Sequence, residues 1–214
     1  MASSSSVAVR ELPLFPLPEV VLFPGRPLPL YIFEFRYRIM MNTILESDRR
    51  FGVLMFDPAT GEIANFGCCA EIIKFQRLPD DKMKMITLGQ QRFRLLEYVR
   101  EKPYRVGLVE WVEDKPSQND LQPMATKVET LLRNVVSLSA KLNNQKIDLP
   151  DDLPSIPTDL SYWIGSNLLR LPAYERQKLL EMQDTAGRLE KEAEILTSTL
   201  NHLAAWTALK DALD

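Results

Sequence analysis

Cys68 and Cys69 are the only cysteines in this chain, and His202 is its only histidine. These are the side chains from which a metal centre or a nucleophile–base pair is ordinarily built. Their spacing suits neither. Zinc loops separate paired cysteines by two to four residues, whereas these two are adjacent. Adjacent strand residues point to opposite faces, so one sulfur turns to the core and the other to the far face, which reads as packing rather than redox chemistry. His202 follows Asn201 on a late helix and reads as solvated, a poor base or ligand without partners. None of the eight glycines precedes a lysine, so no G-x-x-x-x-G-K-[ST] phosphate loop exists. The expectation is a chain with no catalytic residue, no cofactor and no metal.

Binding chemistry is better represented. Tyr31, Phe33, Phe35 and Tyr37 crowd one junction, with Arg36 among them. Four large rings so closely placed are not all expected to enter one core. Exposed aromatics are common anchors of a peptide-binding surface, and Tyr31, Phe33, Phe35, Arg36 and Tyr37 are the candidate residues. The alternative is that the rings pack under C-terminal helices. Glu34, Arg36, Arg38 and Arg92 read as an ion-pair set holding the first helix to a sheet. Alternatively, the arginines take a peptide carboxylate or backbone.

The elements that position these groups begin with residues 11–38. Pro13, Pro16, Pro18, Pro24, Pro27 and Pro29 alternate there with large apolar side chains. Proline lacks a backbone donor, which argues against a helix or a regular central strand. Short extended pieces joined by rigid corners remain. Pro24-Gly25 fits the centre of a type II turn, flanked by strands at 20–23 and 28–33. Helical spacing of Phe35, Ile39, Met40, Ile44 and Leu45 follows. Further strands are expected at 51–56, 62–76, 83–88, 92–98 and 104–112, with Gly67 at a close approach and a corner at 89–91. Residues 115–122 are polar and form a linker. Helical patterns then run from Met124 to Leu142, from Thr158 or Ser161 through Leu168 and Leu169, from Pro172 through Leu180, and from Asp184 to near the end. The last pairs an apolar stripe with a charged face of Arg188, Glu190, Lys191, Glu192 and Glu194.

Composition sets further bounds. Hydrophobic residues make up 45% and charged residues 26%, ordinary for a soluble globular protein. A net charge of −3 and a pI near 5.4 leave no electrostatic footprint for nucleic acid. No apolar run reaches bilayer length. Without a disulfide framework a reducing compartment is expected, cytoplasmic, with the plastid stroma as alternative if the serine-rich opening is a transit-peptide stub.

The order of the pieces resembles a known family. LPLFPLPEVVLFPG with LPLYIFEFRYR, then GCCAEI, LPDD, GQQR and GLVEW, is similar to the N-terminal domain of Lon proteases, also found in cereblon. Gly67, Ala70, Ile72, Leu78, Pro79, Asp80, Gly89, Arg92, Val109 and Glu110 fall on its succession. Glu175, Gln177, Leu179, Leu180, Glu181, Asp184, Arg188 and Leu189 fall on its helical half. Asp81 and Gly107 depart from it, where glycine and alanine are usual. The resemblance covers roughly residues 11–200, and IFEFRYR is most similar to small proteins carrying this domain without a protease.

The resemblance implies an α+β fold, a β-rich PUA-like pseudo-barrel followed by an α-helical bundle with a long C-terminal helix. The expected division is a disordered tail at 1–10, the β-rich subdomain at 11–114, the linker at 115–122 and the helical subdomain at 123–214. It also implies a non-enzymatic module for unfolded or tagged polypeptides, or an adaptor for a separate ATP-dependent protease or chaperone. The ATPase, the Ser-Lys protease domain and the zinc domain found in cereblon would be lacking. Rival readings are an RNA-binding PUA-like protein and a structural protein that self-associates through the last helix. No nucleic-acid or membrane partner is expected, and a monomer is favoured over a dimer. In that monomer Leu203, Trp206, Leu209 and Leu213 fold back on the barrel.

Overall fold

The computed structural model describes residues 8–146, 149–150, 153–168 and 170–213. Most of the expected tail, Leu169 and the side chain of Leu213 lie outside the described residues. In chain order the elements are β1 (Val9–Pro18), β2 (Pro27–Ile32), α1 (Phe35–Leu45), β3 (Arg50–Phe56), β4 (Ile63–Arg77), β5 (Met83–Arg100), β6 (Val106–Val112), α2 (Gln122–Leu142), α3 (Pro157–Asn167), α4 (Ala173–Glu181) and α5 (Thr185–Leu213). No helix among the described residues is long and apolar enough to cross a membrane.

The strands lie in the order β2-β5-β4-β3-β1-β6, and a further β5–β6 pairing closes β5, β4, β3, β1 and β6 into a barrel. The proline-rich opening is a strand inside this barrel, contrary to the expectation that prolines exclude one. Val9–Pro13 pairs antiparallel with β6 and Leu14–Pro18 pairs parallel with β3. Because the partner changes midway, each proline sits where only one edge carries the ladder, and its missing donor is tolerated. Residues 20–23 are irregular rather than a strand. The Pro24-Gly25 turn forms, with Gly25 at φ 70° and Arg26 N–H donating to the Phe23 carbonyl.

β5 corrects another expectation. The presumed corner at 89–91 lies inside one 18-residue strand. Its first part pairs with β2 and its second part with β6. Gly89 marks the change of partner. A Cβ there would lie 2.2 Å from the Phe23 carbonyl oxygen, and Gly89 exchanges backbone hydrogen bonds with Gly25 and Arg26. The glycine therefore serves close backbone approach rather than a hairpin.

Two apolar clusters use the two faces of the sheet. Leu12, Leu14, Leu54, Cys69, Phe93, Leu95 and Val109 come from all five barrel strands and fill its interior. Gly52, Gly67 and Gly107 leave room there: a Cβ on any of them would press within 2.9 Å of Phe93, Leu54, Leu14 or Leu95. The larger cluster joins Phe15, Phe51, Val53, Cys68, Ile72, Met83 and Met85 to Tyr37, Met40, Met41 and Ile44 of α1. Cys68 and Cys69 thus enter different cores, and burial pushes the Cys69 thiol up to about 11 and Cys68 higher still.

The chain divides into two compact units that are not consecutive in sequence. The first runs through Glu113 and takes back Gly165–Gln183, and the second is Asp114–Ile164 with Asp184–Asp214. The helical part is therefore not the single run, 123–214, that the sequence suggests. Polar bonds explain why 165–183 goes with the strands: Gln177 Nε2 donates to the Phe66 carbonyl at 3.0 Å, and Arg92 Nη1 to the Leu180 carbonyl at 2.7 Å.

In the second unit, α2 packs along α5, and the Asp184 carboxylate caps α5 by accepting from the Ala186 and Gly187 amides, both at 3.1 Å. Neither Thr158 nor Ser161 caps α3. Thr158 meets Thr185, and the buried Ser161 accepts from Arg188 Nε at 2.7 Å while donating to Glu192 Oε1 at 3.0 Å. Arg188 and Glu192 are fully buried, not part of a solvated charged face. Arg188 pairs with Asp114 and lies 4.3 Å over the Tyr162 ring. At the far end of α5, Trp206 and Leu209 are exposed.

Candidate functional site

Three strand segments, β2, residues 83–88 of β5 and residues 72–77 of β4, extend beyond the closed barrel. One face is covered by α1 and the larger core. The other is open, because alternation sends every second side chain outward. The register sets the outward rows. Pro29 lies opposite Ile86, and Ile86 opposite Lys74. Tyr31 lies opposite Lys84, and Lys84 opposite Gln76. These residues, with Phe75, Leu30 and Met85, line a groove of about 460 Å³.

The aromatic junction continues from this groove. Tyr31 and Phe33 hold their rings 5.9 Å apart, and Phe35 follows at the start of α1. Their exposures are 49%, 58% and 70%, high for side chains of this size. With Ile73, Phe75 and Ile86 also exposed, this unit presents an extended apolar surface. Arg38 lies 5.5 Å over the Phe35 ring and donates to the Asp80 carbonyl.

Tyr37 departs from the other candidates. It is 8% exposed, its ring centroid lies 4.3 Å from that of Phe15, and burial raises its phenol above the ordinary range. The helix explains this: Tyr37 stands on the face of α1 shared with Met40, Met41 and Ile44, and Phe35 does not. Arg36 pairs with Glu34 at 3.0 Å and lies 4.6 Å over the Tyr37 ring, so it is placed at the edge of the strip.

The expected ion-pair set of Glu34, Arg36, Arg38 and Arg92 does not assemble. Arg92 lies on the other half of β5, is 1% exposed, and donates to the Leu180 and Met182 carbonyls. Sequence reasoning also missed Ile73, Lys74, Phe75, Lys84 and Ile86 as surface residues. Their signal is present in MKMITL, where Lys84 and Ile86 share one parity while the buried Met83 and Met85 share the other. Among the described residues no group of three His, Cys, Asp or Glu side chains could hold a metal ion.

Comparison with known proteins places this geometry. The family profile described as the ATP-dependent protease La (LON) substrate-binding domain matches residues 11–198. Lon protease 2 of Myxococcus xanthus is 28% identical over 195 residues, which is 87% of this chain but 23% of that protein. A Lon protease of Dictyoglomus thermophilum is 27% identical over 203 residues, 90% of this chain and 25% of its own length. The chain thus spans about a quarter of the length of these relatives. The crystal structure of a Lon N-terminal domain protein from Xanthomonas campestris superposes with a TM-score of 0.62 at 28% identity, covering 85% of this chain and 96% of that one. The N-terminal domain of a Mycobacterium avium complex Lon protease gives 0.60 at 17% identity, a likeness of fold.

Proposed function

The chain belongs to the family of ATP-dependent protease La (LON) substrate-binding domains, and from that premise we propose that it recognises unfolded or tagged polypeptide through the strip formed by Tyr31, Phe33 and Phe35 and the adjoining groove. The observation that carries this reading is the run of three large exposed rings on one compact unit. Amphipathic aromatics supply much of the binding energy at protein interfaces, at low conformational cost. The activity proposed is binding, with the client delivered to a separate ATP-dependent protease or chaperone. Both thiols are buried and unpaired, in keeping with a reducing compartment such as the cytoplasm.

The test is fluorescence anisotropy with a labelled, permanently unfolded apolar polypeptide, using the wild-type chain and a Tyr31→Ser/Phe33→Ser double variant. Binding that the double substitution weakens about tenfold or more supports the proposal. Absence of binding, or binding indifferent to both substitutions, overturns it.

A further inference from the structure

We infer that the polypeptide taken by this groove is acidic as well as apolar: an extended segment in which Asp or Glu side chains are interspersed with aliphatic or aromatic ones. The inference rests on the polypeptide-recognition reading and adds the sign of the ligand's charge.

It is carried by the charges on the groove wall. The lining residues include Lys74 and Lys84 and no carboxylate. Neither lysine has an ion-pair partner among the described residues, although the chain as a whole carries a net charge of −3. Three carboxylates elsewhere on this unit are engaged with arginines: Glu34 with Arg36, Glu71 with Arg50, Glu110 with Arg94. Two cations without an ion-pair partner among the described residues thus face outward along the groove.

Their placement within the apolar rows gives the ligand its pattern. Lys74 ends the row of Pro29 and Ile86, and Lys84 stands between Tyr31 and Gln76. An extended peptide lying here sends alternate side chains into the groove. Apolar ones meet Pro29, Ile86 and Tyr31, and a carboxylate beside them lies within reach of an ammonium. A lysine stem can cover apolar surface while its head stays in water, so the cations need not be desolvated to serve the apolar contact. A basic segment would set like charges together and be rejected.

The experiment compares three labelled synthetic peptides on the intact chain: one apolar with interspersed Asp and Glu, its Asn/Gln isostere, and a version carrying Lys at the same positions. The expected order is acidic, neutral, basic, with the acidic peptide about fivefold tighter than the neutral one. Added salt should compress that ratio. A Lys74→Gln/Lys84→Gln double variant should bring the ratio close to one. Equal affinity for acidic and neutral peptides overturns the inference, as does a preference that survives both lysine substitutions, and the recognition reading survives either result. If the neutral peptide binds equally well to wild type and to Tyr31→Ser/Phe33→Ser, the recognition reading falls, and this inference with it.

Discussion

Arg92 and Leu180 stand 88 positions apart and are joined by a 2.7 Å hydrogen bond from the guanidinium Nη1 to the main-chain carbonyl. The same nitrogen reaches the Met182 carbonyl at 2.6 Å. Helix C-termini leave carbonyls without intrahelical donors, and α4 ends at Glu181. A buried cation on β5 supplies the missing donors and complements the negative end of the helix dipole. The strand thus ties Gly165–Gln183 into the first unit.

Removing this cation should be costly. Arg92→Ala removes the donor to the buried Leu180 carbonyl and the half-buried Met182 carbonyl and leaves a cavity in place of a long stem, a loss of about 3–5 kcal/mol. Arg92→Lys keeps the charge but loses the planar fork, for about 1–2 kcal/mol. Urea unfolding of both variants against wild type checks the ranking; a wild-type midpoint for Arg92→Ala would refute the account.

The aromatic junction offers an internal contrast. Phe33 is 58% exposed, so Phe33→Ala should leave the melting temperature nearly unchanged while weakening polypeptide binding. Tyr37 is packed on Phe15 in the α1 core, so Tyr37→Ala should cost about 3–5 kcal/mol, in the range of buried aromatic truncations. Thermal melts and anisotropy on the same two proteins separate the roles. A large loss of stability in Phe33→Ala would move that ring from surface to core.

Gly89 gives a prediction about backbone approach. Its missing Cβ would sit 2.2 Å from the Phe23 carbonyl oxygen, and the obstacle is backbone, which cannot rotate away. Gly89→Ala should therefore cost about 1–3 kcal/mol or shift the Pro24-Gly25 turn off β5. Hydrogen exchange at the Gly25 amide, which donates to Gly89, reports the second outcome directly.

Local chemistry was legible in the sequence where a residue's own backbone demands decide its place. The Pro24-Gly25 turn and the start of α5 beside Asp184 are of this kind. What failed depended on partners distant in sequence. Gly89 looks like a corner until Phe23 is seen against it. Prolines seem to exclude a central strand until β1 is seen changing neighbours at Leu14. Arg188 and Glu192 occupy charged positions in a helical pattern, and only Asp114 and Ser161 make that face an interior one. The aromatic strip was half legible: the crowding of large rings marks the surface, but only helix packing shows that Tyr37 is not among the exposed ones.

Glu192 links this buried network to pH. Its carboxyl is held well above the ordinary value of 4.5, chiefly by burial, while the Ser161 hydroxyl bond and the Arg188 charge act in the opposite direction. Its Oε2 is buried without a hydrogen-bond partner among the described residues, the position best suited to carry a proton. Arg188 cannot neutralise it fully, because the guanidinium is already engaged by Asp114 and lies over Tyr162. A folded-state pKa raised above the unfolded one means that the folded state binds the extra proton. Its stabilising contribution is complete below about pH 4.5 and is lost as pH rises through the folded value. Glu192→Gln keeps the shape and an acceptor for Ser161 and cannot ionise. Thermal unfolding of wild type and variant across mildly acid to mildly alkaline buffers should show wild type falling relative to Glu192→Gln as pH increases. Parallel curves for the two proteins across that range would mean that Glu192 is charged in the folded state and that Arg188 is its partner after all.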